Sequence, residues 1–93
     1  MYRTLKETGE LFKVLSDPTR IKILLSLAEE EKCVHEIARE TSSKLSNISH
    51  HLRRMKDKNL VDYRREGRHK YYRVKDEHII NILKQGVAHA EER

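Results

Sequence analysis

Apolar residues recur at helical spacing over the first third of the chain. The spacing over residues 4–15 predicts a first helix, and a second apolar run over 21–27 follows a break at Ser16. Asp17 is the expected N-cap of the second helix, because an Asp side chain accepts hydrogen bonds from the free N–H groups of the first turn. Pro18 suits the first helical position. The chain is therefore expected to open with two helices.

The periodicity changes along the rest of the chain. A short helix is predicted over about 34–40, and a polar turn separates it from a further helix over about 46–58. Residues 60–74 alternate around Glu66-Gly67-Arg68, which is typical of a β-hairpin. A last helix is predicted over about 76–91. The fold class is thus mainly α with a small β-hairpin, and this order of elements predicts a winged helix-turn-helix with its recognition helix at 46–58 and its wing at 60–74.

The last helix carries histidines and acidic residues in a pattern typical of a metal site. A helix turns about 100° and rises about 1.5 Å per residue, so His78 and His89 share a face but lie about 16 Å apart. Zinc takes ligands at about 2 Å, so one ion cannot join both histidines of a single chain. Two antiparallel copies of the helix would bring its first ligands in one chain to its last ligands in the other, which predicts a homodimer with two symmetric sites. The predicted ligands are Asp76, His78, His89 and Glu92.

The types of donor atom limit which metal ions the site would prefer. Two imidazoles and two carboxylates suit tetrahedral Zn(II) or Co(II), whereas Ni(II) is less favoured because it would need further ligands. Four protein ligands would close the site, while a catalytic metal keeps an open position. The sequence also has no nucleophile–base constellation and no glycine-rich phosphate loop, so we expect neither an enzyme nor a small-molecule substrate.

Size and composition are those of one small domain over 1–93. Cys33 is the single cysteine, which excludes a disulfide framework and favours a reducing compartment. Apolar runs are too short to cross a membrane, and no signal peptide opens the chain. We therefore expect a cytoplasmic protein without a membrane partner.

Positive charge is concentrated in one third of the sequence. Residues 44–75 carry eleven Lys and Arg against three acidic residues, a net charge of +8, while the whole chain has +5. A basic segment that coincides with the recognition helix and the wing predicts nucleic-acid binding. For any single basic side chain, a solvated charge is the alternative interpretation.

The predicted DNA contacts fall into two groups. Short polar side chains at the start of the recognition helix would reach base edges or phosphates, and basic side chains there would hold flanking phosphates. The hairpin tip would reach along the backbone or into a minor groove. The predicted contacts are Lys44, Ser46, Asn47, Ser49, His50, Arg53, Arg54, Arg64, Arg65, Arg68 and Lys70.

Four segments resemble the ArsR/SmtB family of metal-sensing transcriptional repressors. LFKVLSDPTRIKIL resembles the family's opening helices, SSKLSNISHHLRRMKDKNLV its recognition helix and YRREGRHKYYRV its wing. DEHIINILKQGVAHAEE matches the motif Asp-x-His-x10-His-x2-Glu of the branch that senses zinc or cobalt through the last helix. The resemblance implies a homodimer that binds double-stranded operator DNA when metal-free. Metal at the inter-subunit sites would lower DNA affinity and derepress a metal efflux or sequestration gene, through a hydrogen bond from His89 to a backbone carbonyl near Leu60.

A second family site is only half present. KCVHEIA aligns with the family's Cys-Val-Cys segment, which binds arsenic, cadmium or lead, but His35 replaces its second cysteine. Soft metals prefer thiolates, and the N-terminus has no cysteine to complete such a site. We expect Cys33 to be a packed thiol, with Cys33 and His35 as a secondary candidate for metal or redox chemistry.

The sequence is also compatible with two alternatives. The chain could be a regulator of the same family that responds to Ni(II), or to oxidation or a soft metal at Cys33. It could also be a constitutive DNA-binding protein in which zinc only stabilises the dimer.

Overall fold

The computed structural model describes residues 1–92, which fold into five helices, three short strands and the turns between them. In chain order they are α1 (Tyr2–Val14), α2 (Pro18–Glu29), β1 (Lys32–Cys33), α3 (Val34–Thr41), α4 (Leu45–Asp57), β2 (Val61–Glu66), β3 (His69–Val74) and α5 (Glu77–Glu91). The strands form one antiparallel sheet in the order β1-β3-β2. The predicted winged helix-turn-helix is confirmed, with α3 and α4 as the helix-turn-helix and β2 and β3 as the wing.

Local hydrogen bonds mark some helix starts and not others. The Arg20 N–H donates to Asp17 Oδ2 at 2.9 Å, and Pro18 occupies the first position of α2, as predicted. The recognition helix α4 begins one residue earlier than predicted, at Leu45. Its N-cap residue, Lys44, makes no side-chain capping bond, so no local signal identifies this boundary.

Strand β1 is not apparent in the sequence because two residues are too few to show alternation. It pairs with β3, placing Cys33 opposite Tyr71. Lys32 is buried, and its ammonium donates to the Ser26 carbonyl at 2.8 Å and pairs with Glu40 at 2.9 Å. Because β1 leads directly into α3, this pairing ties the wing to the helix-turn-helix.

The core lies between α2, α3, α4 and the sheet. Its largest fully buried side chains are Ile23, Leu24, Ile37, Ile48, Leu52, Met55, Leu60 and Val61. No side chain of α1 is fully buried, and α5 contributes Ile79 and Leu83. Both helices therefore keep much of their apolar surface outside the core. Within residues 1–92, no helix combines the length and apolar character that a membrane crossing requires.

Candidate functional site

Helix α4 presents its predicted DNA contacts on the outer face. Ile48, Leu52 and Met55 are buried along the inner face at helical spacing. Ser49 is half-buried at the edge. The remaining predicted contacts on this element and its N-cap are exposed: Lys44, Ser46, Asn47, His50, Arg53 and Arg54. Among residues 1–92, the basic members of this set form no ion pair, so their charge is available to a ligand.

The wing directs alternate side chains toward α4. Tyr63 lies opposite Tyr72, and Arg65 opposite Lys70. The two tyrosine rings pack with centroids 5.3 Å apart, and the Lys70 ammonium lies 4.6 Å from the Tyr63 centroid. Arg65 and Lys70 line a pocket together with Ser49 of α4. This face of the wing therefore carries its positive charge beside the recognition helix.

Arg64 lies on the opposite face of the wing, and acidic side chains of the same chain compensate its charge. Its Nε donates to Glu31 Oε1 at 2.8 Å, and its Nη1 donates to Glu66 Oε2 at 2.7 Å. The hydrogen bond to Glu31 has the larger effect, and together the two bonds raise the pKa of Arg64 above its usual range. Its guanidinium also lies over Tyr71, 4.9 Å from the ring centroid. The prediction that Arg64 contacts DNA together with Arg65 does not fit this position.

The four residues predicted as metal ligands lie at the two ends of α5. Asp76 is the N-cap, and its Oδ1 accepts hydrogen bonds from the His78 N–H at 3.0 Å and the Ile79 N–H at 3.4 Å. Both capping bonds use the same oxygen, which leaves Oδ2 for a ligand. His78, His89 and Glu92 are exposed. The two ends of the helix do not meet within one chain, so a shared ion needs a second copy.

An apolar groove runs between α1 and the middle and C-terminal part of α5. Phe12 on one side, and Ile82 and Val87 on the other, line it while remaining 50%, 37% and 38% exposed. A Cβ added at Gly86, also in the groove, would meet nothing within 4 Å, so another helix could approach the backbone there. A contiguous exposed apolar surface of this kind is typical of a protein–protein contact.

A second group of metal-ligating side chains lies where β1, α3 and β3 meet. The Cys33 sulfur and ring nitrogens of His35 and His69 lie within 4.8 Å of one another. Within residues 1–92, this is the only such group of three His, Cys, Asp or Glu side chains. The sequence indicates Cys33 and His35 but not His69, because only the pairing of β1 with β3 brings the wing to the start of α3.

His51 is a further histidine on α4, but its position indicates a structural role. It is half-buried, and its Nδ1 has no hydrogen-bond partner among residues 1–92. Burial lowers the pKa of His51, while the nearby Asp17 acts in the opposite direction. Its burial therefore disfavours the charged form of the side chain beside the start of α2.

The sequence is similar to known regulatory proteins over most of its length. The family model for bacterial regulatory proteins of the arsR family matches residues 17–63. A transcriptional repressor SmtB homolog from Synechocystis sp. is 36% identical over 94% of this chain and 66% of its own length. A cadmium resistance transcriptional regulatory protein CadC homolog from Staphylococcus aureus is 38% identical over 92% of this chain and 72% of its own length. The chain thus spans about two thirds of the length of the curated relatives it matches.

Solved structures share the fold. The homodimeric winged helix-turn-helix DNA-binding domain of Mb0332 from Mycobacterium bovis superposes with a TM-score of 0.86 at 32% identity, covering 99% of this chain and 85% of that one. The AntR antimony-specific transcriptional repressor superposes with a TM-score of 0.87 at 31% identity, covering 95% of this chain and 80% of that one.

Proposed function

The chain belongs to the arsR family of bacterial regulatory proteins, and we propose that it is a zinc-responsive transcriptional repressor. A metal-free homodimer binds double-stranded operator DNA. Zn(II) at two inter-subunit sites lowers its DNA affinity and releases transcription of a metal efflux or sequestration gene. The observation that carries the proposal is α5, which exposes a pair of ligands at each end beside an apolar groove. The family consists of regulators rather than enzymes, so no residue is given a catalytic role.

The DNA interface is formed by α4 and the adjacent face of the wing. The first turn of α4 supplies short polar side chains for base edges, and Arg53 and Arg54 supply charge for phosphates. Arg65 and Lys70 extend this charge along the wing on the same side. A twofold dimer would present two such surfaces to successive major grooves.

The metal sites follow from the dimer. The apolar groove is covered when α1 and α5 of one chain pack against those of its partner, and antiparallel α5 helices then bring Asp76 and His78 to the partner copies of His89 and Glu92. Some relatives are named for cadmium or antimony, which favour sulfur ligands. The α5 donors include no thiolate, which favours Zn(II) or Co(II) here, with Ni(II) less favoured.

Zinc can weaken DNA binding only by stabilising one dimer geometry over another. Ligation at both ends of α5 fixes how the two chains pack and therefore the spacing of their recognition helices. Backbone hydrogen bonds connect the N-terminal end of α5 to α4 within each subunit. The Lys75 N–H, next to Asp76, donates to the Leu60 carbonyl at 2.9 Å, and the Leu60 N–H donates to the Met55 carbonyl in α4 at 2.9 Å. A bond from His89, as the family resemblance implies, would act on this same segment.

The test is binding to DNA from upstream of the protein's own gene, by fluorescence anisotropy, with zinc and with chelator. Salt is held constant because phosphate contacts make affinity steeply salt-dependent. We expect zinc to weaken binding by at least about tenfold, or about 1.4 kcal/mol of coupling. His89→Ala should abolish the response, while Lys84→Ala, an exposed change elsewhere on α5, should preserve it. Tight binding that zinc leaves unchanged, or a zinc response in His89→Ala, would contradict the proposal.

A further inference from the structure

The side chains of Cys33, His35 and His69 come from three different elements and converge on one point. Cys33 ends β1, His35 lies in the first turn of α3, and His69 begins β3 in the wing. Their ligand atoms lie within 4.8 Å of one another. We propose that they form a second metal site, contained within each subunit, for a thiophilic divalent cation such as Zn(II) or Cd(II). This site does not depend on the α5 ligands or on the dimer.

The sulfur is already oriented for such a site. Cys33 is buried and serves as the N-cap of α3, where its side chain accepts a hydrogen bond from the Glu36 N–H. In return, the Cys33 N–H donates to Glu36 Oε1 at 3.0 Å. These reciprocal bonds hold the cysteine in place before any metal binds, so it is the fixed member of the group.

The two imidazoles are the adjustable members. His35 and His69 are exposed, and their rings meet edge to face with centroids 6.0 Å apart. Tetrahedral zinc bonds sulfur at about 2.3 Å and nitrogen at about 2.0–2.1 Å, so one sulfur and two nitrogens around it lie about 3.3–3.6 Å apart. Ligand atoms separated by up to 4.8 Å would have to approach by up to about 1.2–1.5 Å, and the two exposed imidazoles are the side chains whose rotation would contribute to this.

Three protein ligands leave the fourth coordination position of a tetrahedral metal open. The site adjoins a pocket from which a fourth ligand can enter. The adjoining pocket has a volume of about 230 Å³, which far exceeds the roughly 30 Å³ that one water occupies. Arg65, Arg68 and Lys70 also line this pocket. Their positive charge disfavours a bare cation and favours an anionic fourth ligand such as hydroxide or chloride. The Cys33 thiolate, formed as the metal displaces its proton, offsets part of this charge.

Metal at this site would join the start of α3 to the wing. His69 lies between Arg68 and Lys70, two predicted DNA contacts, so the ion would fix the position of the residues that reach the phosphates. An ion bound in one subunit would therefore restrain the wing without changing how the two subunits pack. This distinguishes its effect from that of zinc on α5.

The experiment uses the full chain carrying His78→Ala and His89→Ala, so that the α5 sites are disabled. Titration with Cd(II), followed by the ultraviolet thiolate-to-metal charge-transfer band, should show one ion per chain. His69→Ala should weaken binding at least tenfold without unfolding the protein, since this side chain is exposed. His50→Ala, an exposed histidine outside the group, should bind as the parent does, and circular dichroism verifies folding of each variant.

Two outcomes would overturn the inference. One is the absence of a charge-transfer band in the folded parent, which is the chain carrying His78→Ala and His89→Ala alone. The other is a band whose affinity is the same in the parent and in His69→Ala, because Cys33 would then bind metal without the wing. Neither outcome bears on the proposed zinc response, which is measured in the chain with intact α5 ligands.

Discussion

Asp76 caps α5 with one carboxylate oxygen, and the proposed metal site would use the other. Its Oδ1 accepts hydrogen bonds from the His78 and Ile79 N–H groups, which leaves Oδ2 for the proposed metal. Under the proposed function, an Asp at this position serves the fold in every state of the protein and the metal site only in the dimer. Capping and ligation can therefore be separated by substitution.

We expect Asp76→Asn and Asp76→Ala to have different effects. Asn caps helices about as well as Asp, so Asp76→Asn should keep the free energy of unfolding in chelator, whereas Asp76→Ala should lower it by about 1 kcal/mol. Both should weaken zinc binding, because Asn offers a neutral amide, which is a poorer ligand than a carboxylate, and Ala offers no ligand. Urea unfolding and zinc titration measure the two effects. Wild-type zinc affinity in Asp76→Asn would exclude Asp76 from the site.

His51 makes stability depend on pH. Because burial lowers its pKa in the native state, the unfolded chain binds a proton below about pH 6.5 that the native chain resists. The stability contributed by neutral His51 is thus present above that pH and is lost as the pH falls through the native pKa. We expect His51→Gln to lose less unfolding free energy than wild type between about pH 7 and pH 5.

The measurement is urea unfolding across this pH range, with chelator present so that metal ligands do not contribute. His50→Gln, at the exposed neighbouring position, is the matched control. The assignment fails if wild type and His51→Gln lose stability in parallel as the pH falls.

At the scale of elements, the two faces of the wing differ in whether their arginine is paired with acidic side chains. Arg65 lies beside α4, whereas Arg64 is paired with Glu31 and Glu66 on the other face. Arg65 is therefore available to bind a phosphate, whereas Arg64 would first have to break its ion pairs with two carboxylates.

We therefore expect Arg65→Ala to weaken operator binding more than Arg64→Ala does. Each phosphate contact contributes about 0.9 to the slope of log affinity against log salt, so Arg65→Ala should reduce the slope by about that amount. Arg64→Ala should leave the slope near its wild-type value. Fluorescence anisotropy over a salt series measures both, and equal slope changes in the two variants would contradict this division of the wing.

Elements defined by local patterns could be predicted, and contacts between elements could not. The inner face of α4 and the cap of α2 depend on residues within a turn of one another, so their spacing reveals them. The partner of Arg64 is Glu31, 33 residues away, and His69 reaches Cys33 only through strand β1. Such contacts depend on how the chain folds back on itself, which periodicity does not report.

At the scale of the whole molecule, one chain leaves two features incomplete. The groove between α1 and α5 remains apolar and open, and the predicted ligands at the two ends of α5 remain apart. The proposed antiparallel dimer would complete both at once, since α5 both lines the groove and carries the predicted ligands. The sequence predicts this pairing because the distance between His78 and His89 follows from helix geometry alone.

The most direct test of this account is complementation between two defective chains. Both chains carry Cys33→Ser to disable the site at β1, α3 and the wing; one also carries Asp76→Ala and His78→Ala, and the other His89→Ala and Glu92→Ala. Each is titrated with Co(II) alone and after subunit exchange. Neither variant alone should show the visible absorption of tetrahedral Co(II), whereas the mixture should recover about a quarter of the signal of the Cys33→Ser chain with intact α5 ligands, because each mixed dimer regains one complete site. A mixture as silent as its components, although exchange has occurred, would show that the two chains do not share a metal.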